Sequence, residues 1–231
     1  MTIENSNKKP LLGIIGGMGV QATSYFYDKL HSMQNVSSEQ EYIDTLIYSI
    51  PSTPDRTNFI TGKSKESPLN SLLRAVKTLE SANASLIVMP CITAHYFHNE
   101  LATSTNIPVL NLPSIVASNV MRSGIKKVEL FATDGTLKSR VFHSAFEKTD
   151  VELITPSPAM QSTVMEIIYE IKKSGKLNSY ARECIQRLCI SSSADKIILG
   201  CTELCIFGEI PKTFNVLDSL VVAAKDFMAN L

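Results

Sequence analysis

Short apolar runs alternate with stretches of helical spacing along the chain. Leu11–Ile15, Thr45–Ile50, Ser85–Met89, Val128–Ala132 and Lys196–Leu199 are four to six residues long, alternate little, and end at Gly, Pro or a hydroxyl residue. Strands covered on both faces have that signature, and it predicts a buried parallel sheet. Between them, Leu69, Leu72, Leu73, Val76 and Leu79 follow the i, i+3, i+4, i+7 rule behind Ser67-Pro68, an N-cap and first-turn proline. Further helices are expected over Gln21–Gln34, Ala94–Ser104, Ser114–Arg122, Lys138–Phe146, Met160–Lys173, Ser179–Ser191 and Asp218–Ala229. Alternating strand and helix gives an α/β fold with parallel sheets flanked by helices.

The pattern also repeats. Leu86-Ile87-Val88-Met89-Pro90-Cys91-Ile92-Thr93 and Ile197-Ile198-Leu199-Gly200-Cys201-Thr202 share one form: an apolar strand, a small residue or proline, then cysteine near threonine. The two cysteines stand 110 residues apart, close to half the chain. Two pseudo-symmetric subdomains explain the spacing, with coincidence as the alternative. The expected division is 1–112, carrying Cys91, and 113–231, carrying Cys201, with the C-terminal helix able to pack back on the first part. Each cysteine would then lie past the C-terminal end of a strand, where open α/β sheets bind ligands.

Composition narrows the function. With 231 residues, 44% hydrophobic and 19% charged, the chain can bury a sizeable core. Its 22 basic and 22 acidic side chains balance, which argues against a general nucleic-acid binder. No apolar stretch approaches the roughly 20 residues of a membrane helix, so no membrane partner is expected. The run after Lys8-Lys9-Pro10 is broken by Gly13, Gly16, Gly17 and Gly19, unlike a signal peptide. A cytoplasmic protein with reduced thiols is the expectation. The five cysteines include no C-x-x-C pair, so structural zinc is not implied.

A cysteine at a strand-to-helix junction meets backbone N–H groups and a helix dipole, which favour the thiolate. A lone cysteine there is commonly a small buried hydrophobe, but two in equivalent places can work as a pair. One thiolate can take a proton from a carbon while the opposite thiol delivers one to the other face. Cys184, Cys189 and Cys205 lack that setting and read as core. The turn Gly13-Ile14-Ile15-Gly16-Gly17-Met18-Gly19 has neither dinucleotide nor P-loop spacing. Arg56, in Pro51-Ser52-Thr53-Pro54-Asp55-Arg56-Thr57, could clamp a carboxylate bidentately or pair with Asp55 or a loop carbonyl. Asp134 could cap a helix. His95, four residues after Cys91, shares its face if that stretch is helical, and supports or orients it. His98 reads as a solvated neighbour, and no further ligand completes a metal set with the two histidines.

Together these motifs resemble the aspartate/glutamate racemase family, cofactor-independent enzymes with two catalytic cysteines. The likeness rests on G-I-I-G-G-M-G at 13–19, P-D-R-T at 54–57, M-P-C-I-T-A-H at 89–95, A-T-D-G-T at 132–136 and L-G-C-T-E-L at 199–204. It implies two α/β subdomains with the active site in the cleft between them, an amino-acid substrate, a homodimer, and neither cofactor nor metal. It implies Cys91 and Cys201 as acid and base. Arg56 and Lys173, before Ser174-Gly175, would hold the substrate's side-chain carboxylate. Thr93, Thr136 and Thr202 would hold its α-carboxylate or amino group, and Met18, Ser52 and Ile92 complete the expected binding set. One departure stands out: Ile92 replaces the family's asparagine, which bears on substrate, rate or activity itself. Rival readings are a same-fold isomerase or racemase with another substrate, a non-catalytic binder of small acidic metabolites, and a flavodoxin-like nucleotide module.

Overall fold

The computed structural model describes residues 9–176, 178–206 and 214–229. Two parallel sheets carry the fold. In the first, β1 (Leu11–Gly16) lies between β2 (Asp44–Ser49) and β3 (Leu86–Val88), with Leu12 opposite both Thr45 and Leu86. Val109 bridges in parallel to Ile87 on the far side of β3. In the second, β4 (Lys127–Phe131) lies between β5 (Glu152–Ile154) and β6 (Lys196–Leu199), with β7 (Val216–Asp218) outside β6. With Val109 counted, both sheets run in the order second, first, third, fourth. The sequence echo therefore corresponds to an echo of topology: β3 and β6 are equivalent strands, and each ends just before a cysteine.

The helices are α1 (Val20–Ser32), α2 (Arg56–Thr61), α3 (Leu69–Ser81), α4 (His98–Thr103), α5 (Leu112–Arg122), α6 (Asp134–Ser139), α7 (Val141–Phe146), α8 (Pro158–Ser174), α9 (Ser179–Ser191), α10 (Thr202–Cys205) and α11 (Ser219–Ala229). Local chemistry sets several boundaries. Asp55, Asn111, Ser157 and Asn178 each accept a backbone N–H with their side chains at the starts of α2, α5, α8 and α9. Gly175 ends α8 in the left-handed conformation that a side chain disfavours.

Two helical expectations change form. Ala94–Ser104 is a 3-10 segment, Ile92–Phe97, followed by α4, because the Ala94 N–H closes a tight turn onto the Cys91 carbonyl at 3.2 Å. Lys138–Phe146 breaks between α6 and α7, where Arg140 adopts φ +58°. The three-residue strands β5 and β7 carry too little pattern to be seen in the sequence.

Apolar packing crosses the middle of the chain. One cluster joins Leu12, Ile14 and Phe26 to Leu130, Phe131, Ile198 and Phe227, while a smaller one beneath α3 gathers Ile15, Ile50, Leu72, Val76, Leu79 and Ile87. α11 packs against both α1 and α5. Tyr25 of α1 also donates to Asp218 Oδ2 at 2.7 Å, tying the end of β7, just before α11, to α1. Burial and the facing carboxylate hold that phenol above its usual range. Among the described residues no helix is long and apolar enough to cross a membrane.

Candidate active site

Each cysteine sits where a buried strand runs out. Cys91 follows β3 through Met89-Pro90 and is the N-cap of the 3-10 segment; Cys201 follows β6 through Gly200 and is the N-cap of α10. Both are buried, at 5% and 3% exposure. Gly200 packs closely here: a Cβ there would lie 2.4 Å from Leu130 Cδ1, so the Leu130 side chain would have to shift.

The supports beneath the two thiols are also equivalent. His95 Nδ1 donates to the Cys91 carbonyl at 3.0 Å, and its Nε2 accepts the Leu112 N–H at 3.2 Å. That pairing fixes the neutral tautomer, and burial holds the imidazole down at about 4. Cys205, four residues beyond Cys201, takes the matching place: its thiol lies 3.5 Å from the Leu199 carbonyl, 3.6 Å from Ser219 Oγ at the start of α11 and 3.8 Å from the Cys201 carbonyl. His95 is thus the brace under Cys91, and Cys205 is its counterpart. His98 is partly buried and donates Nε2–H to the Val109 carbonyl at 2.9 Å, so it is a structural tie rather than the solvated neighbour expected.

One narrow cavity is lined by Met18, Arg56, Cys91, Ile92, Thr93, Cys201 and Thr202, all in the expected site set, and by Thr57, Thr133, Lys172 and Glu203, which are outside that set. Its volume is about 10 Å³, room for about one water. A second cavity of about 240 Å³ adjoins it, sharing Met18, Arg56, Lys172 and Glu203 and adding Gln21, Asp55, Ile171 and Ile206. An amino acid centred between the thiols therefore requires the walls to part.

The first wall comes from the loop after β2. Asp55 caps α2, and this turns Arg56 inward to 9% exposure. Arg56 Nη1 donates to the Thr53 and Pro54 carbonyls at 3.2 and 3.1 Å, and Nη2 reaches the Met18 carbonyl at 3.5 Å. Its Nε is buried with no partner among the described residues. Of the two sequence alternatives, loop carbonyls take Nη1 while Nε stays free.

The opposite wall is built of hydroxyls. Thr93, Thr133 and Thr136 form a triangle of Oγ1 contacts at 2.9–3.1 Å. Thr133, the N-cap of α6, lines the cavity, whereas Thr136 is fully buried behind it. α2 and α6 approach closely over Gly135, where a Cβ would lie 2.8 Å from Thr57 Cα.

Two expected site residues lie elsewhere. Ser52 is exposed on its loop and lines neither cavity. Lys173 points from α8 into a surface groove with Tyr169, Glu170 and Tyr180, whereas Lys172 faces the thiols. A helix turns by about 100° per residue, so adjacent lysines cannot share a face. Lys172 pairs with Asp55 at 3.7 Å. Burial would depress the ammonium, but Glu203, Cys201 and Asp55 leave it above its usual range.

Glu203 dominates the surroundings of Cys201. Cys201 Sγ donates to Glu203 Oε2 at 2.9 Å, and Thr202 Oγ1 donates to the same oxygen at 3.4 Å. Burial and this carboxylate push the Cys201 thiol well above its usual range, against Lys172 and the Glu203 N–H. The junction was expected to favour the thiolate; in this setting desolvation and like charge outweigh the helix terminus. The missed residues left traces: Thr57, Thr133 and Glu203 stand inside the quoted motifs, and Lys172 one place from the named lysine.

The fold and sequence are similar to those of known proteins. The family model described as Asp/Glu/Hydantoin racemase matches residues 15–226. The broad specificity amino-acid racemase RacX of Bacillus subtilis (strain 168) is 25% identical over 224 residues, covering 93% of this chain and 95% of RacX. The Picrophilus torridus aspartate racemase structure superimposes with a TM-score of 0.83 at 30% identity, over 95% of this chain and 94% of that one. A structure of an aspartate racemase homologue from Pyrococcus horikoshii OT3 gives 0.73 at 27% identity, covering 96% and 98%. With two equivalent cysteines lining one cavity and a family match over most of its length, this chain belongs to the Asp/Glu/hydantoin racemase family.

Proposed function

We propose that the protein is an amino-acid racemase acting without a cofactor on an acidic amino acid, with Cys91 and Cys201 as its two bases. The observation that carries this is the pair of thiols, from equivalent strand ends of two sheets, lining a single narrow cavity. In one direction the Cys91 thiolate takes the Cα proton and becomes a thiol. Cys201 then gives its proton to the opposite face and becomes a thiolate. The reverse direction exchanges the roles, and no electrons or groups are left over.

A Cα–H beside a carboxylate is a poor acid, so two effects must combine. Positioned proton transfer is worth about 10²–10⁴-fold. Fixed donors in a dry site supply much of the rest by stabilising the dianion as it forms. Thr93, Thr133 and Thr202 serve that purpose, with Thr136 orienting the first two. Arg56 and Lys172 suit the distal carboxylate: both line the two cavities, and the buried Arg56 Nε lacks a partner among the described residues.

The test is to incubate the protein under reducing conditions in D₂O with each enantiomer of aspartate and glutamate, following the α-proton by NMR and the enantiomers by chiral analysis. Exchange with inversion is expected from the wild type. Cys91→Ala and Cys201→Ala are each expected to abolish inversion in both directions; full turnover by either would exclude the two-thiol mechanism.

Ile92 favours a second reading. It is 1% exposed and lines the thiol cavity, where a hydrogen-bonding asparagine was expected. RacX, a full-length relative, is a broad-specificity enzyme. A site relaxed by Ile92 would exchange neutral or basic amino acids and ignore aspartate, and Ile92→Asn would shift preference toward the acidic ones.

A further inference from the structure

Among the described residues, the carboxylate beside Cys201 has no counterpart beside Cys91. Glu203 is 6% exposed, and its Oε2 accepts the Cys201 thiol at 2.9 Å while Oε1 has no partner among the described residues. Among the described residues no cation stands within ion-pair distance of it; Lys172, the nearby ammonium, pairs instead with Asp55. At the equivalent place, two residues after Cys91, stands Thr93, and the group braced on Cys91 is the neutral His95. The other titratable or charged groups around Cys201 and Glu203 are Lys172 and Tyr169 from α8, Asp55 and Arg56 from the start of α2, and Cys91 across the cavity. Tyr25 and Asp218 act one turn further on, at Cys205.

We propose that Glu203 is a positioning residue that holds Cys201 in the thiol form between turnovers, so that the resting protein is poised with Cys91 as the base for one enantiomer and reaches the opposite state, with Cys201 as the base for the other, only against the Glu203 carboxylate. Removing the Cys201 proton breaks the Sγ–H···Oε2 hydrogen bond and sets a thiolate against a carboxylate in a buried site. Once Cys201 has protonated the substrate, the same repulsion draws a proton from solvent back to it as Cys91 releases its own. The two enantiomers of a free amino acid are equal in energy, so kcat/KM is identical in both directions at any pH. The effect of Glu203 therefore lies in the pH profile and not in a preferred direction.

The role in turnover rests on the racemase reading, but the protonation of Cys201 belongs to the free protein and is measured without substrate. Thiolate absorbance would be titrated in Cys91→Ser with and without Glu203→Gln, each compared with the same protein carrying Cys201→Ser, to isolate the Cys201 signal. Glu203→Gln is expected to lower the Cys201 midpoint by about one pH unit or more. An unmoved midpoint overturns the proposal even if the wild type racemises every substrate. In the catalytic background, Glu203→Gln should move the alkaline limb of kcat/KM down while the acid limb stays. A lower rate with both limbs in place would mean a structural role and overturn it too. Should the Gln variant fail to fold by circular dichroism, Glu203→Asp withdraws the carboxylate by one methylene and must lower the midpoint likewise, or the proposal fails. A wild type that shows the titration shift but exchanges no amino-acid α-proton would sink the racemase reading alone.

Discussion

Adjacent residues on one helix can differ completely in what they face. Lys172 lines the thiol cavity and Lys173 an outer groove, although the sequence motif pointed to the second. Lys172→Ala should therefore cut kcat/KM for aspartate or glutamate by about 10–100-fold, the scale of one lost charged hydrogen bond, chiefly through KM. Lys173→Ala should leave both parameters near wild type. Steady-state kinetics on the two variants checks this, and equal losses would place neither lysine at the distal carboxylate. Arg56→Ala should weaken binding of an acidic substrate far more than of alanine. The burial of Arg56 could not be read from spacing, because it depends on carbonyls at Thr53, Pro54 and Met18 converging on one guanidinium.

Among elements, the contact that shapes the site is the one between α2 and α6, and a glycine permits it. A Cβ on Gly135 would meet Thr57 Cα and Oγ1 at 2.8 Å, and backbone cannot yield there as a flexible side chain can. Gly135→Ala should cost about 1–3 kcal/mol by urea denaturation, the usual range for overpacking. It should also lower activity by pushing Arg56 and Thr133 apart. The strands and long helices were legible because each buries a continuous face. The 3-10 segment after Cys91 and the break at Arg140 were not, because hydrogen bonds and backbone conformation set them, and hydrophobic pattern does not report either.

Across the whole molecule, one apolar cluster joins residues from both sheets and α11 clasps α1 and α5. Unfolding is therefore expected as a single cooperative transition by calorimetry; two resolved transitions would show halves that fold independently. Acid should weaken this whole. His95 is held down at about 4, against 6.5 for a free histidine, so between those values the unfolded chain binds a proton that the folded one refuses. Stability must then fall as pH drops from about 6.5 to about 4 and level off below, by roughly 3 kcal/mol from this residue. Urea denaturation at pH 7 and 4.5 measures the slope, and His95→Gln, which cannot titrate, should flatten it.

The sequence alone determined the α/β class, the parallel strands, the duplicated strand–cysteine unit and the motif set of its family. Each of these is written in local periodicity or short fixed spacing, which chain order preserves. Tertiary structure decided what depends on distant segments meeting. It selected Lys172 over Lys173 and Thr133 over Thr136 at the cavity, left Ser52 in solvent, and made His95 and Cys205 matching braces. It also set Glu203 against Cys201, reversing the thiolate expected there. A thiol's proton affinity is the sum of burial and neighbouring charge, and both are fixed only once the α2 loop, α8 and the two strand ends enclose one space.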